Sequence, residues 1–323
     1  PGPQKKPADT SGPSNRGAGM TGSLRTPDVI PPGDNRGPKF IAEISSNHNQ
    51  DLSRALALVD AAAGSGFDAV KFQLFEIDKL FAPEVLEASA DHRARKNWEL
   101  PREFVPHLAE RARSLGLEFS CTPFDLDALA FIDDYVDFIK IASYELLWLD
   151  LIRAAGATGK PVIISTGMAT LDEVREAVVA LRESGCQDIT VLHCVSEYPA
   201  KLENCNLAAI DTLREAFGEK VGWSDHSSEE AVILAASLGW KSDVIEVHFD
   251  LEGSGAEFGP GHCWLPQNIS VVISKLKDAV FAGGSSSKEP LNSEVSERPW
   301  RADPGDGLRP GIAERVKAQH PSG

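Results

Sequence analysis

Short apolar runs alternate with amphipathic stretches along the chain from Lys39 onward. The amphipathic stretches carry apolar residues at intervals of three and four, which is typical of helices that pack through one face. The apolar runs are rich in Val, Ile and Phe and are short, which predicts buried β-strands. The predicted strands are residues 39–44, 68–73, 117–122, 137–142, 161–165, 189–194, 219–224 and 243–248.

The stretches between these runs predict helices, including residues 52–63, 103–115, 171–184 and 229–238. Several of them end at a glycine just before the next strand, which is the usual C-terminal signal of a helix, at Gly66, Gly116, Gly185 and Gly239. Eight βα units predict a parallel sheet that closes into an α/β TIM (β/α)8 barrel. An open doubly wound sheet is the alternative, but no glycine-rich dinucleotide fingerprint follows the first strand.

The two ends of the chain differ in composition from this repeating region. Residues 1–38 are rich in Pro, Gly, Ser and Asn and carry few apolar residues, so they are expected to form a disordered extension. The barrel is expected to occupy residues 39–285, and residues 286–323 are expected to form a C-terminal tail.

Charge and cysteine content narrow the classes of function. A net charge of −16 argues against nucleic acid or an anionic membrane as a partner. No apolar run approaches the roughly 20 residues that cross a bilayer. The five cysteines are odd in number and include no CxxC pair, so neither a disulfide framework nor a zinc ribbon is expected. A reducing cytoplasm fits this cysteine usage best.

Polar residues concentrate where the predicted strands end, which is where TIM barrels carry their chemistry. Any one of them has an ordinary structural explanation, since a strand lysine often extends to the rim and a strand histidine is often a hydrogen-bonded core residue. The set is more informative than its members. It includes Glu43, Asn47, Lys71, Gln73, Thr122, Lys140, Ser143, Glu145, Ser165, Ser196, Tyr198, Ser224, His226, Glu246 and His248.

Two subsets of these residues predict specific ligands. Lys71 and Lys140 lie inside apolar parallel strands, where a buried charge is costly unless an anion meets it. Together with the neighbouring hydroxyl groups, they predict a site for phosphate and carboxylate. His226 and His248 end adjacent strands and could share a divalent metal, although two histidines without a carboxylate ligand are a weak signal alone.

The sequence resembles the sialic acid synthase family, which includes N-acetylneuraminate, legionaminate and pseudaminate synthases. The resemblance spans roughly residues 39–280, and its motifs occur once per βα unit and in order. They are FIAEISSNHNQDLSRAL (40–56), DAVKFQ (68–73), SCTPFD (120–125), IKIASYE (139–145), VIISTGMATLDEV (162–174), LHCVSEYPA (192–200), VGWSDHS (221–227) and VIEVHF (244–249).

The resemblance implies a TIM barrel that condenses phosphoenolpyruvate with a sugar aldehyde, an N-acylhexosamine-like acceptor, to give a 2-keto-3-deoxy sugar acid and phosphate. It places Mn²⁺ or Mg²⁺ on His226 and His248, an acid–base role on Glu145, and substrate contacts on Glu43 and Tyr198. Glu145, Lys140 and Glu43 are taken as the catalytic group. The implied phosphoenolpyruvate contacts are Lys71, Gln73, Thr122, Lys140, Ser143 and Ser224, with Ser165 and Ser196 beside them.

Two departures from the family concern the sugar side of the site. The segment after the last strand reads EGSGAEFGPGHCWLP, so Gly261 and His262 follow the Gly-Pro pair where the family commonly carries an acid. Residues 257–266 are therefore expected to line the acceptor pocket, with His262 as a substrate contact. Asn47 is also expected to contact the substrate. The chain is also too short after the barrel for the antifreeze-like domain that reaches the partner's site in the family's homodimer.

Two other functions remain open from the sequence. A non-catalytic barrel that binds sugar phosphates would keep the fold and lose the reaction, but Glu145, His226 and His248 are intact. A metal-dependent hydrolase would need more protein ligands, typically an HxH pair and a bridging acid, which the sequence does not display. A homodimer acting on small molecules is the expected assembly.

Overall fold

The computed structural model describes residues 37–319, with side chains described to residue 316. Residues 1–36 of the predicted extension lie outside the described residues. The chain divides into two compact units, Asn35–Gly284, which holds the barrel, and a second unit that includes Ser285–Gly323.

Eight parallel strands pair in sequence order and close into a barrel, with the last strand beside the first. The sequence prediction of a TIM barrel is confirmed, and every predicted strand agrees with its observed bounds to within one residue. The strands are β1 Lys39–Ser45, β2 Ala69–Leu74, β3 Glu118–Pro123, β4 Phe138–Ile141, β5 Val162–Ser165, β6 Ile189–Cys194, β7 Lys220–Asp225 and β8 Val244–His248.

Helices follow the strands and cover the outside of the barrel. Within the larger unit they are α1 Leu52–Ser65, α2 Ile77–Leu80, α3 Pro83–Ala88, α4 Ala90–Ala94, α5 Phe104–Ser114, α6 Leu126–Ile132, α7 Leu149–Ala157, α8 Leu171–Glu183, α9 Ala209–Phe217, α10 Glu230–Leu234 and α11 Pro266–Ala282. Short 3₁₀ turns lie at Arg95–Trp98, Ser143–Glu145 and Leu202–Asn204.

The local signals at the helix ends explain most of their boundaries. Asp51 caps α1 by accepting hydrogen bonds from the backbone N–H groups of Ser53 and Arg54, and Gly66 ends the helix in the left-handed region at φ 89°. The expectation for Gly239 is wrong in its geometry. The last turn after α10 is a π-helix, Ala235–Gly239, and the left-handed residue there is Lys241, at φ 48°.

Strand residues alternate between two faces, and this alternation positions the site. The outward residues of β1, Phe40, Ala42 and Ile44, belong to the large core between barrel and helices. The inward residues begin with an apolar layer that closes the bottom of the barrel. That layer is Ile41, Ala69, Phe138, Ile163, Leu192 and Val244.

Two residues further along each strand, the same inward face becomes polar. Glu43 follows Ile41, Lys71 follows Ala69, and Lys140 follows Phe138. The period of two therefore places these charges inside the barrel, directly above the apolar layer. Burial of the lysines is a consequence of strand register rather than of local sequence preference.

The second unit contains the 3₁₀ turns Asn292–Glu294 and Arg298–Trp300 and the helix α12 Ile312–Gln319. Asp303 accepts hydrogen bonds from the backbone N–H groups of Gly305 and Ile312, and Arg315 forms an ion pair with Asp306 at 2.7 Å. None of the helices among residues 37–319 combines the length and apolar character needed to span a membrane.

Candidate active site

A cleft of about 770 Å³ opens at the C-terminal ends of the strands. It gathers most of the residues that the sequence singles out, from six strands and the loops that follow them. Those that line it are Glu43, Lys71, Gln73, Lys140, Ser143, Glu145, Ser165, Tyr198, Ser224, His226, His248 and His262. Thr122, Ser196 and Asn47 are the predicted residues that do not line it.

The floor of the cleft is a cluster of buried charges. Lys71 forms an ion pair with Glu43, and its Nζ also lies 3.9 Å from Oε2 of Glu246. Nζ of Lys140 lies 3.4 Å from the other oxygen of Glu246. Burial lowers the pKa of Lys71 to about 8. Burial opposes ionisation of Glu246, but Lys140 and then Lys71 outweigh it and hold its pKa at about 2.

Hydroxyl groups surround these charges. Thr122 lies behind Lys71 and accepts a hydrogen bond from its Nζ at 3.1 Å. Ser224 donates to Glu246 at 3.2 Å, and Ser143 accepts from the backbone N–H of Gly167 at 2.9 Å. The buried Oγ of Ser165 makes no hydrogen bond within the described part of the chain, so it is free to meet an oxygen of a bound molecule.

Ser196 and Gly167 lie beside this group. A Cβ on Gly167 would stand 2.3 Å from Oγ of Ser196 and 2.9 Å from Oγ of Ser143. Glycine is therefore required for the loop after β5 to approach the two hydroxyl groups. Ser196 remains next to the cleft rather than in its lining, and its buried Oγ finds no partner among the residues described.

Glu145 differs from the other acids of the cleft. Its carboxyl group is buried in the turn after β4, and Oε2 makes no hydrogen bond to any described group. Burial raises its pKa to about 7, while Lys140 acts in the opposite direction. A carboxyl group that titrates near neutral pH can both donate and accept a proton, which is the property of a general acid–base group.

Histidine rings form the wall opposite the lysines. The centroids of His226 and His248 are 5.2 Å apart, and Tyr198 packs on His226 at a centroid distance of 4.1 Å. Nδ1 of His226 lies 2.7 Å from the carbonyl oxygen of Val195, so it carries the proton and donates it. Burial lowers the pKa of both histidines, to about 4 at His248.

The segment after β8 contributes to the same wall, as expected for residues 257–266. Glu257 and His262 line the cleft, together with Pro260. Trp264 does not, because its indole is buried and donates to Asp225 at 3.2 Å. The first part of the segment thus lines the cleft and its tryptophan does not, and contact with the acceptor sugar stays a prediction.

Asn47 is a correction to the expected substrate contacts. Its side chain is fully buried outside the cleft lining. Nδ2 donates to the carbonyl oxygen of Phe249 at 3.0 Å, and Oδ1 accepts from the backbone N–H of Glu257 at 2.8 Å. Both ends of the amide are therefore committed to fixing the segment that carries Glu257.

Sequence reasoning left several lining residues unassigned. Glu246 is among the strand-end residues named from the sequence but received no substrate or metal contact, although it lies two residues before His248 on β8 and so shares its inward face. Glu257 carries no such periodic signal, since it lies in a loop. The remaining wall comes from the segment between β2 and β3, where Arg95 stacks over Phe81 and Trp98 at 5.7 and 5.3 Å.

Comparison with known proteins agrees with this architecture. Residues 58–288 match the model of the NeuB family. The chain belongs to the NeuB family. It is 35% identical over 271 residues to N,N'-diacetyllegionaminic acid synthase of Campylobacter jejuni, covering 79% of this chain and 80% of that protein. It is 38% identical over 274 residues to pseudaminic acid synthase of Helicobacter pylori, covering 81% and 79%.

A solved structure supports the same assignment. The N-acetylneuraminic acid synthetase of Leptospira borgpetersenii superposes with a TM-score of 0.73 at 30% identity, over 81% of this chain and 90% of that one. The NeuB match begins within α1 and ends after α11, so it contains both lysines and the cleft histidines His226, His248 and His262. Glu43, on β1, lies before the matched residues.

Proposed function

We propose that this chain condenses phosphoenolpyruvate with an open-chain sugar aldehyde, an N-acylhexosamine-like acceptor, to form a 2-keto-3-deoxy sugar acid and phosphate. One observation carries the proposal: Lys71 and Lys140 are buried in the same cleft that His226 and His248 line. The family relatives, which are named as synthases of legionaminic and pseudaminic acid, support the same reaction class.

Phosphoenolpyruvate would bind through the cleft floor. Lys71 and Lys140 would exchange their contacts with Glu43 and Glu246 for phosphate and carboxylate oxygens. Gln73 and the hydroxyls of Ser143, Ser165 and Ser224 would add hydrogen bonds, with Thr122 and Ser196 supporting them from behind. Charge-assisted contacts to a developing phosphate anion also favour its departure.

The reaction forms one carbon–carbon bond and one carbon–oxygen bond, and it breaks one carbon–oxygen bond. C3 of phosphoenolpyruvate bonds to the aldehyde carbon, whose oxygen takes up a proton. A water oxygen bonds to C2, the bond between C2 and the bridging oxygen breaks, and phosphate leaves with that oxygen. Glu145, which lines the cleft, would move a proton of the water, while Glu43 and Tyr198 would contact the sugar.

The histidine wall fits a divalent cation. His226 keeps Nε2 free because its Nδ1 donates to a backbone carbonyl, and the buried His248 keeps Nε2 free because its Nδ1 faces the carboxylate of Glu257 at 3.2 Å. His226 and His248 would hold the ion, which we propose to be Mn²⁺ or Mg²⁺. Such an ion would polarise the aldehyde carbonyl when bound.

The direct test is phosphate release from phosphoenolpyruvate in the presence of a panel of aldoses and N-acylhexosamines. The proposal expects release that requires both a sugar and a divalent ion, with a product that carries the carbons of both substrates. Glu145→Gln is the matched control, because it keeps the shape of the cleft and removes the proton-transferring group. Tight binding of both substrates without release would instead indicate a non-catalytic sugar-phosphate-binding barrel.

We also propose that the protein acts as a cytoplasmic homodimer. The cysteines support the location, since all five are buried and unpaired. The resemblance to dimeric synthases supports the assembly. Light scattering of the purified chain at micromolar concentration checks it, and a mass of one chain would contradict it.

A further inference from the structure

Three imidazoles meet at one wall of the cleft. His226 follows β7 and His248 ends β8, whereas His262 lies in the segment after β8. The ring centroid of His262 lies 4.7 Å from that of His248 and 6.4 Å from that of His226. We propose that His262 is a third ligand for the ion at His226 and His248, and that Glu257 positions two of the three rings. The inference rests on the proposed function for the placement of the ion.

The nitrogen that each ring presents follows from its hydrogen-bond partners. A carbonyl oxygen can only accept, so Nδ1 of His226 donates to Val195 and Nε2 is left for a ligand. Oε2 of Glu257 lies 3.2 Å from Nδ1 of His248 and 4.0 Å from Nε2 of His262. A carboxylate also accepts only, so it favours the proton on those two atoms.

The remaining nitrogens are Nε2 of His248 and Nδ1 of His262. Nδ1 of His262 is buried and makes no hydrogen bond to any group among the described residues. A buried nitrogen without a partner is costly unless something binds it. The carboxylate on one edge of the two rings and the free nitrogens on the other form the arrangement that orients histidine ligands in metal sites.

The ring separations permit a single ion. An imidazole nitrogen binds a divalent metal at about 2.1 Å, so the ring centroid lies about 3.2 Å from the ion. Two rings on one ion then have centroids at most about 6.5 Å apart. The three measured separations, 4.7, 5.2 and 6.4 Å, all lie below this limit.

Glu257 is held in a rigid frame, which a positioning group requires. Its backbone N–H donates to Asn47, and its Oε1 accepts from Oγ of Ser45 at 2.5 Å. Gly255 packs so closely on Asn47 that a Cβ there would stand 2.3 Å from Oδ1. The carboxylate therefore faces the two imidazoles because the backbone on both sides of it is fixed.

Three neutral imidazoles also select the kind of ion. Imidazole nitrogen suits divalent ions of the first transition series, whereas Mg²⁺ prefers oxygen ligands and keeps its waters. The third histidine should therefore increase the affinity of the site for Mn²⁺ or Co²⁺ relative to its affinity for Mg²⁺.

The test is calorimetric titration of the metal-free full chain with Mn²⁺ and with Mg²⁺, without substrate. His262→Gln and Glu257→Gln keep the size of each side chain and should each weaken Mn²⁺ binding about 10- to 100-fold. His262→Gln should also reduce the difference between the affinities for Mn²⁺ and for Mg²⁺. Glu252→Gln is the matched control on the same segment and should leave the affinity unchanged. The carboxylate of Glu252 is half-exposed and pairs with Arg54 instead of facing a ring.

A second measurement separates ligation from loss of structure. The visible absorption of bound Co²⁺ depends on the number and type of its ligands, so His262→Gln should change it in a protein that melts like the parent. Unchanged Mn²⁺ affinity and an unchanged Co²⁺ spectrum in His262→Gln would overturn the proposal, as would an equal loss in Glu252→Gln. Because no substrate is present, a failed condensation assay would not affect this result.

Discussion

The guanidinium of Arg54 and the carboxylate of Asp250 form a buried ion pair that joins α1 to the segment after β8, with Nη2 2.6 Å from Oδ1. Arg54 also donates to the carbonyl oxygen of Asn47, and Asp250 accepts from the backbone N–H groups of Gly253 and Gly255. The pair therefore anchors the segment that brings Glu257 and His262 to the histidine wall.

Arg54→Ala should destabilise the protein by about 3–5 kcal/mol, because it leaves the fully buried Asp250 carboxylate without its counter-charge. Urea unfolding measures the loss, and hydrogen exchange should show the largest effect in residues 250–265. Arg111→Ala serves as the comparison, since its pair with Asp60 is exposed and should be worth no more than about 1 kcal/mol. Equal losses in the two variants would contradict the anchoring role.

Glu145→Gln should lower the activity and raise the stability of the protein above neutral pH. The pKa of Glu145 is about 7 in the folded protein against an ordinary value of 4.5, so the folded state binds the extra proton between these limits. Stability should therefore fall as pH rises through this window, by about 3 kcal/mol when complete. The amide removes that dependence, so the variant should melt at a higher temperature than the parent at pH 8 and near the same temperature at pH 4.5.

The activity of the parent protein should follow the same group. If Glu145 accepts a proton from water, kcat/KM should rise as pH increases through about 7, and Glu145→Gln should lose both the activity and this rise. A parent profile that is flat from pH 6 to 8 under conditions where chemistry limits the rate would count against the assignment.

Lys71→Met and Lys140→Met should weaken phosphoenolpyruvate binding in a protein that still folds, with some loss of stability because each change leaves a buried carboxylate, Glu43 or Glu246, without a lysine partner. Methionine keeps most of the stem volume, and the lost charge-assisted contact is worth about 1.5–3 kcal/mol, or roughly 10- to 150-fold in affinity. Calorimetric titration with phosphoenolpyruvate measures the loss. Lys220→Met, which removes an exposed ion pair with Asp188, is the matched control and should bind like the parent. Unchanged affinity in both cleft variants would refute the anion site.

Two glycine substitutions should change stability in opposite directions. A Cβ on Gly222 would stand 2.1 Å from the carbonyl oxygen of Val244, so Gly222→Ala forces β7 and β8 apart and should cost about 1–3 kcal/mol or more. Gly64 lies inside α1 with open space around it, so Gly64→Ala should stabilise the helix by up to about 1 kcal/mol. Thermal melts of both variants check the direction of each change in stability. A Gly222→Ala protein as stable as the parent would show that β7 and β8 can move apart without cost.

The strands and the cleft floor could be predicted from the sequence because both depend on short-range periodicity. Alternation along β2 and β4 is enough to place Lys71 and Lys140 inward, and parallel strands bring their ends together. The segment after β8 could not be predicted in the same way. The positions of Asn47 and Glu257 depend on hydrogen bonds between residues about 200 positions apart, which no local pattern encodes.

The helix ends show the same division between local and distant causes. Gly66 follows a regular helix and ends it as its sequence predicts. Gly239 is the last residue of a π-helical turn, the backbone N–H of Ser242 donates to the carbonyl oxygen of Ala236, and the left-handed residue is Lys241. A sequence pattern identifies the glycine, but the extra residue in the turn decides which position reverses the chain.

The charges at the cleft floor cancel before any substrate arrives. Lys71 and Lys140 are matched by Glu43 and Glu246, and the four groups are enclosed by the barrel. If phosphoenolpyruvate binds there as proposed, the incoming anion meets no unbalanced field from these four groups, and it would bind by replacing the carboxylates that pair with the lysines. Recognition would then be an exchange of partners, so it should respond weakly to ionic strength and strongly to the shape of the anion.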